Sequence, residues 1–363
     1  MHRSYMRRAL TLAAMGLGRT APNPAVGAVV VNSGQVVGEG YHHAAGEAHA
    51  ETVALHEAGT SAQGADIYVT LEPCCHHGRT PPCTDAIIAA GVRRVFYACE
   101  DPDERVAGGG HTALVAQGCQ VFRGPLTASA QDLNRAYFRF KATSLPYVTL
   151  KMAMTADGRA AAADGKSQWI TGPQARSAVH RLRSQVQFAM VGVGTVLADD
   201  PRLTTRLDSA HNRNGALIVD SDARTPVTAR ALQRDDGTPC VIACCEAANA
   251  GRIEALRKAG ADVMVFPAKD GRVDLRLLMR QLGKRQIMSI LCEGGPTLAA
   301  GLMREALVDE MVLFVAPKLL GGGPGAVADL GVSELAEAIK LDIVETRRVG
   351  CDVMIRGRVC SQG

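Results

Sequence analysis

Aromatic residues make up only 4% of this 363-residue chain, with a single Trp, and that scarcity excludes the basic, aromatic-rich strips on which single-stranded nucleic acid stacks. A run of charge of one sign is also missing. The 40 Lys and Arg are interspersed with 36 Asp and Glu, and a net charge of +4 spread in this way leaves no nucleic-acid footprint. No apolar stretch is long enough to span a bilayer, and Met1 to Gly16 is an amphipathic segment with interspersed Arg rather than a secretory signal. There is no internal repeat and no low-complexity tract. The dinucleotide fingerprint of a Rossmann fold is missing too, because Gly192-Val-Gly194 lacks the third glycine that Gly-x-Gly-x-x-Gly requires. Gly108-Gly109-Gly110 and Gly321-Gly322-Gly323 read as turns.

What the chain does have is length and apolar content. With 47% hydrophobic residues it can bury two cores, and two domains are expected. The pattern restarts at Ser144-Leu145-Pro146, which puts the boundary between residues 1–144 and 145–363. Eleven cysteines without a secretory signal point to a reducing compartment, so a cytoplasmic enzyme is expected, with no membrane or nucleic-acid partner.

The chemistry concentrates in His49-Ala-Glu51, followed 23 residues later by Cys74 and nine further on by Cys83. One His and two Cys supply three zinc ligands and leave a fourth position open for water, which the metal can acidify toward neutrality. Glu51 is then free to carry the proton. His-x-Glu followed by Pro-Cys-x-x-Cys is the signature of zinc nucleobase deaminases, and Pro73-Cys74 opens its second half here, although His77 stands where the second Cys would fall and Cys83 comes only after a nine-residue gap. Taken singly, Cys74 and Cys83 would be small buried hydrophobes and His49 a surface histidine; their order together with Glu51 and Pro73 favours catalysis. A structural zinc knot leaves Glu51 unexplained. Cys75, His76 and His77 stay open between substitute ligands, substrate contacts and loop packing.

Local patterns place these residues on separate elements. Ala25 to Val31 and Gln35 to Tyr41 read as strands of a hairpin across Asn32-Ser33-Gly34. Ala50 to Ala58, closed by Gly59, reads as a helix with His49 and Glu51 at its start, and Thr84 to Ala90 as a helix with Cys83 at its start. Helix N-termini favour thiolate over thiol. Asp66 to Leu71 reads as the strand that delivers Cys74, and Leu126 to Thr143 as a helical connector. In the second half, Tyr147 to Met154 and Met288 to Cys292 read as strands. Glu293-Gly-Gly-Pro-Thr297 then leads into a helix from Leu298 to Ala306, whose free amides could hold phosphate.

The string Glu72-Pro-Cys-Cys-His-His-Gly-Arg-Thr-Pro-Pro-Cys83 resembles the deaminase half of the bifunctional deaminase–reductase family of riboflavin biosynthesis, and Thr20-Ala-Pro-Asn23-Pro-Ala-Val-Gly27 resembles its substrate-side loop. Lys151 through Arg159, Ser167-Gln-Trp169-Ile-Thr171, Thr195 through Pro201 and Glu293 through Thr297 resemble motifs of the family's reductase half, so the likeness covers nearly the whole chain. Cys75 stands where Ser is frequent, and Asp101-Pro-Asp-Glu104 where Asp-Pro-Asn-Pro is usual.

The resemblance implies an α/β chain, with an N-terminal cytidine-deaminase-like α/β/α domain followed by a dihydrofolate-reductase-like α/β domain. It assigns zinc to His49, Cys74 and Cys83, proton transfer to Glu51, and a substrate contact to Asn23. It turns Ala153, Trp169, Thr195, Asp199, Ser221 and Gly295-Pro296-Thr297-Leu298-Ala299-Ala300-Gly301 toward NADPH, and Ser167, Arg183, Leu203, Arg206 and Glu293 toward the substrate. On their own, Arg183 and Arg206 suit phosphate because guanidinium offers paired donors, though a surface Arg is ordinarily only solvated. Asn23 could equally be a turn residue between two prolines, and the lone Trp169 a core residue. The implied activity is hydrolytic deamination of 2,5-diamino-6-(5-phosphoribosylamino)pyrimidin-4(3H)-one and then reduction of the ribosyl chain to ribityl, in a homo-oligomer, dimer or tetramer. Glu293 and Lys151 are the candidates for proton donor in the second step. The alternatives are a cytidine or nucleic-acid base deaminase fused to an unrelated reductase, and a zinc-stabilised nucleotide-binding protein without turnover.

Overall fold

In the computed structural model, which describes residues 1–77, 81–207 and 214–360, the chain's contacts fall into two units, Met1–Ser144 and Leu145–Gly363. The first begins with α1 (His2–Met15). A hairpin of β1 (Gly27–Asn32) and β2 (Gln35–Tyr41) follows, turned by left-handed Ser33 and Gly34 at φ 50° and 81°. Next come α2 (Ala50–Ala58), β3 (Asp66–Val69), α3 (Cys83–Ala89), β4 (Arg94–Tyr97), α4 (Gly109–Ala116) and β5 (Gln120–Arg123), then α5 (Thr127–Leu133) and α6 (Arg135–Thr143). The sheet order is β2-β1-β3-β4-β5; β1 runs antiparallel to both neighbours, and β3, β4 and β5 are parallel.

β1 is buried on both faces, which is why its sequence is a continuous apolar run rather than an alternation. Ala28 and Val30 pack with Ala50 and Ala54 of α2, Ile87 of α3 and Leu114 of α4, while the opposite face meets α1 so closely that a Cβ on Gly27 would lie 2.1 Å from the Ala9 carbonyl oxygen. The layers are therefore helix, sheet, helix. Two readings need correction. The strand read from Ala25 starts at Gly27, and the connector read as one helix from Leu126 to Thr143 breaks at Asn134, whose amide accepts from Ala25 N and donates to Ala25 O, each at 2.8 Å. That long-range pairing with the backbone outweighs local helical continuity.

The second unit runs β6 (Tyr147–Thr155), α7 (Pro173–Arg183), β7 (Phe188–Gly192), α8 (Val193–Asp199), β8 (Gly215–Val219), β9 (Cys240–Cys245), α9 (Ala250–Lys258) and β10 (Asp262–Phe266). A short hairpin of β11 (Ala268–Lys269) and β12 (Arg272–Val273) comes next. The chain then passes through α10 (Leu275–Lys284), β13 (Ser289–Cys292), α11 (Pro296–Arg304) and β14 (Glu310–Ala316) to a final hairpin of β15 (Leu341–Val349) and β16 (Asp352–Val359). Its nine-stranded sheet has the order β10-β9-β8-β7-β13-β6-β14-β16-β15, parallel through β14 and antiparallel beyond. Leu278, Met279 and Leu282 of α10 and Ala299, Leu302 and Met303 of α11 bury one face of this sheet, and Val196 of α8 with Ile253 and Leu256 of α9 the other.

The last helix reading also shifts: α11 spans Pro296–Arg304 rather than Leu298 to Ala306, because Pro at N1 starts a helix whose first amide has no intrahelical partner to lose. Among the described residues, no helix is long and apolar enough to cross a membrane.

Candidate functional site

Three elements bring the metal ligands together. His49 caps α2 with extended backbone, Cys83 opens α3, and Cys74 lies in the loop beyond β3. α2 is pressed onto β2 through Gly40, where a Cβ would lie 2.5 Å from the Ala50 carbonyl oxygen, so the glycine fixes how near the start of the helix comes to the sheet. The Nδ1 of His49 lies 3.1 Å from Cys83 Sγ and 3.6 Å from Cys74 Sγ, and all three ligand atoms lie within 4.8 Å of one another. A tetrahedral zinc with bonds of about 2.0–2.3 Å separates its N and S ligands by roughly 3.5–3.8 Å, so this triangle fits the ion.

The electrostatics favour a thiolate at Cys74. The Cys83 amide, free at the start of α3, donates to Cys74 Sγ over 3.4 Å. Hydrogen bonding from Cys83, against the cost of burial and helped by His49, holds the Cys74 thiol down near about 4, while the same pairing pushes Cys83 up. Glu51 is 3% exposed and is not part of the ligand triangle. Burial, with the Cys74 thiolate adding to it, pushes its carboxyl up to about 7.

Behind the ligands stands a support that sequence reading missed. The buried carboxylate of Glu72 accepts from Gly108 N at 3.0 Å and His111 N at 2.9 Å, fastening the loop that starts at Pro73 to the N-terminus of α4. A Cβ on Gly110 would sit 2.0 Å from the Pro73 carbonyl oxygen, so the glycine run read as a simple turn is a close approach that braces Cys74. Asp101 and Asp103 are also structural. Asp101 accepts from Tyr137 Oη at 2.9 Å, and Asp103 accepts from Arg105 and Lys141 at 2.6 and 2.7 Å. Asn23 donates to His42 Nε2 over 3.1 Å, and the His42 ring lies edge-on to His49, which brings Asn23 to the neighbourhood of the metal ligands. Gly78, Arg79 and Thr80 of the cysteine loop lie outside the described residues.

The second group of residues gathers along one edge of the nine-stranded sheet. Ser221 follows β8, Thr195 and Asp199 lie on α8 directly after β7, Glu293 through Leu298 follow β13, and Ala153 is near the end of β6. These four strands are adjacent and parallel, so all these residues lie at their carboxyl ends, where open α/β sheets bind ligands. Gln168 ties the Trp169 segment to this edge, donating to Asp199 Oδ1 at 3.0 Å. Trp169 is 61% exposed, so it is not a core residue; Arg176 stacks over its ring at 4.6 Å. The first intrahelical bond of α11 runs from Ala299 N to Gly295 O, leaving the amides of Thr297 and Leu298 at the helix start. A helix N-terminus opening from two glycines, with Thr195 beside Gly295, fits a phosphate of the dinucleotide. Ala299 and Ala300 are 0% and 1% exposed, so their side chains belong to the core and only the helix backbone there can serve a cofactor.

Arg183 and Glu293 meet as a bidentate pair, Nε to Oε1 at 2.6 Å and Nη2 to Oε2 at 2.9 Å, and Arg183 Nη1 donates to Thr204 O at 3.0 Å. The guanidinium read as a phosphate clamp is thus committed to protein acceptors. Burial works to raise the Glu293 carboxyl, but Arg183 and then Lys151 outweigh it and hold it below the usual range. Lys151 is one residue past Leu150, which pairs with Cys292, so Lys151 and Glu293 are register neighbours. Burial pushes the Lys151 ammonium down.

Two family descriptions match the chain: the RibD C-terminal domain over residues 146–355, and the cytidine and deoxycytidylate deaminase zinc-binding region over residues 1–99. The riboflavin biosynthesis protein RibD of Escherichia coli (strain K12) is 45% identical over 357 residues, 97% of each chain. The chain belongs to the RibD family. A second RibD relative, from Aquifex aeolicus (strain VF5), is 39% identical over 353 residues, again 97% of each chain. Among solved structures, Acinetobacter baumannii RibD (form 1) has a TM-score of 0.87 at 35% identity over 99% of both chains. A diaminohydroxyphosphoribosylaminopyrimidine deaminase/5-amino-6-(5-phosphoribosylamino)uracil reductase from Thermotoga maritima has 0.86 at 31%, with the same coverage. The RibD architecture is the expected one, a cytidine-deaminase-like domain followed by a dihydrofolate-reductase-like domain.

Proposed function

We propose that residues 1–144 deaminate and residues 145–363 reduce in this bifunctional enzyme of riboflavin biosynthesis, whose cofactors are zinc and NADPH. The observation that carries the reading is the ligand triangle of His49, Cys74 and Cys83 with a buried Glu51 outside it. A structural zinc would take a fourth protein ligand and would have no use for a buried carboxylate.

The substrate is a small phosphorylated pyrimidine, 2,5-diamino-6-(5-phosphoribosylamino)pyrimidin-4(3H)-one. Zinc, when bound, supplies a Lewis acid that polarises a water for attack on the ring carbon bearing the amine. Glu51 takes a proton from that water and delivers it to the departing ammonia, with Asn23 against the pyrimidine. In the second step NADPH supplies a hydride to the ribosyl carbon. Thr195, Asp199, Ser221, Ala153, Trp169 and the start of α11 from Gly295 hold the cofactor along the sheet edge. Ser167 and Arg206 hold the sugar phosphate, and Leu203, whose side chain is 1% exposed in the core, can serve the substrate only through its backbone. Glu293, kept ionised by Arg183, and Lys151 are register neighbours and the two candidates for the proton that the reduced sugar takes up; burial, which pushes the Lys151 ammonium down, favours Lys151.

We also infer a homo-oligomer, dimer or tetramer, in the cytoplasm. The final hairpin exposes Ile343, Val344 and Val353, apolar surface suited to a second copy, and the eleven cysteines are all unpaired, as in a reducing compartment.

The test is a coupled assay of the zinc-loaded protein with the diaminopyrimidine phosphate, following ammonia and NADPH together. Ammonia followed by an equal amount of oxidised NADPH is expected. Ammonia alone would sink the reductase assignment, and neither signal with zinc bound would point to another substrate or to a binding protein.

A further inference from the structure

Residues 202–206 form no helix or strand, yet this segment carries Leu203 and Arg206, two of the residues placed on the substrate. Three successive carbonyls in it are each claimed by a side chain from elsewhere in the fold. Arg234 Nη1 donates to Arg202 O at 3.1 Å, Asn214 Nδ2 to Leu203 O at 2.7 Å, and Arg183 Nη1 to Thr204 O at 3.0 Å. Asn214 also accepts from Thr205 N at 3.1 Å, so one amide grips the segment on both sides of Thr204. Its remaining contacts root it in the sheet: Nδ2 also donates to the carbonyl oxygen of Gly215, the first residue of β8, at 3.0 Å, and Arg234 donates to the carbonyl oxygen of Asn214.

The grip holds an unfavourable conformation. Leu203 has φ of +55° and is 1% exposed, a left-handed backbone that costs a bulky side chain free energy and persists only where its surroundings impose it. Arg206, three residues on, is acted on by Arg202 and Arg230, besides the Arg183 already paired with Glu293, and this cationic setting suits a phosphate. Asn214 is 1% exposed, and its amide oxygen and nitrogen are both engaged within the protein.

We propose that Asn214 is a positioning residue for reduction, one that sets Arg206 toward the substrate phosphate by clamping the backbone of Leu203 and Thr205. The inference rests on the reading of Arg206 as the phosphate contact. It requires Asn specifically, because the clamp needs a donor for Leu203 O and an acceptor for Thr205 N on one short side chain.

The experiment compares Asn214→Ala, Asn214→Ser, Arg206→Ala and Asn214→Ala/Arg206→Ala in the full-length, zinc-loaded enzyme, with pre-deaminated 5-amino-6-(5-phosphoribosylamino)uracil and NADPH. Asn214→Ala is expected to raise the KM for the pyrimidine about tenfold, the scale of one buried hydrogen bond left unmade, with kcat within about threefold and NADPH affinity unchanged. Asn214→Ser, which keeps an acceptor in place, should fall between Ala and wild type. In the Arg206→Ala background the effect of Asn214→Ala should shrink to less than about twofold, because a residue acting through Arg206 has nothing left to position. General destabilisation would instead lower kcat with KM kept, and would overturn the proposal. An unchanged KM in Asn214→Ala alongside a raised KM in Arg206→Ala overturns the role of Asn214 alone. An unchanged KM in both overturns the phosphate reading and this inference with it.

Discussion

Removing Arg183 should destabilise the second unit more than the loss of a surface cation would, and the pair it forms with Glu293 sets the size of the effect. The two side chains are 12% and 9% exposed and bind through two bonds of 2.6 and 2.9 Å. Breaking a buried pair by deleting one partner costs about 3–5 kcal/mol, since the other charge is stranded. Two corrections apply. Arg183 also donates to Thr204 O, a loss of about 1 kcal/mol, while Lys151, which helps to hold the Glu293 carboxyl down, stays beside it and offsets part of the stranded charge. Arg183→Ala should therefore cost about 2–4 kcal/mol, a fall of roughly 5–15 °C in the melting temperature of a domain this size. Arg183→Ala/Glu293→Gln, with no stranded carboxylate, should recover at least about 1 kcal/mol of that. Urea unfolding followed by circular dichroism measures both, with the emission of Trp169 reporting on the second unit alone because the chain has no other tryptophan. A single-variant cost under about 0.5 kcal/mol, or strict additivity in the double variant, would refute the reasoning.

Glu51→Gln should retain stoichiometric zinc and lose deamination by about a hundredfold or more, since the ligands stay and the proton carrier goes, while reduction of pre-deaminated substrate continues; wild-type ammonia release would remove Glu51 from the mechanism. Gly110→Ala touches no ligand, yet its methyl group would meet the Pro73 carbonyl oxygen at 2.0 Å, and zinc affinity should fall at least about tenfold in a chelator competition. Acid should weaken the second unit through His180, which burial, reinforced by Arg183 and Arg206, pushes down to about 4. The unfolded chain then binds the proton first, so this group's contribution is complete above about pH 6.5 and declines as pH falls toward about 4. His180→Gln should flatten that part of the stability profile, and an unchanged slope would contradict it.

The metal centre was legible in the sequence because its residues sit beside strong local punctuation. Asn32-Ser33-Gly34 marks the hairpin and Gly59 the end of α2, so His49 and Glu51 at the helix start could be read directly. What stayed hidden depends on distant partners. Asn134 breaks a continuous helical pattern to pair with Ala25, 109 residues away, and Arg183 spends its donors on Glu293, 110 residues on. The glycines at 108–110 look like any turn until Pro73 is placed against them. Trp169 would ordinarily be sought in a core, yet it lies exposed beside the sheet edge. By contrast, α11 began earlier than expected for a local reason, the preference of Pro for the first helical position.

The most direct test of the central claim is zinc-edge X-ray absorption of the purified holoenzyme. The account predicts two sulfur atoms at about 2.3 Å, one imidazole nitrogen and one light solvent atom at about 2.0 Å, with the same spectrum in Glu51→Gln. A third sulfur, which would bring in Cys75, or a second imidazole from His76 or His77 closing the fourth position, would contradict it and return the cluster to a structural zinc knot.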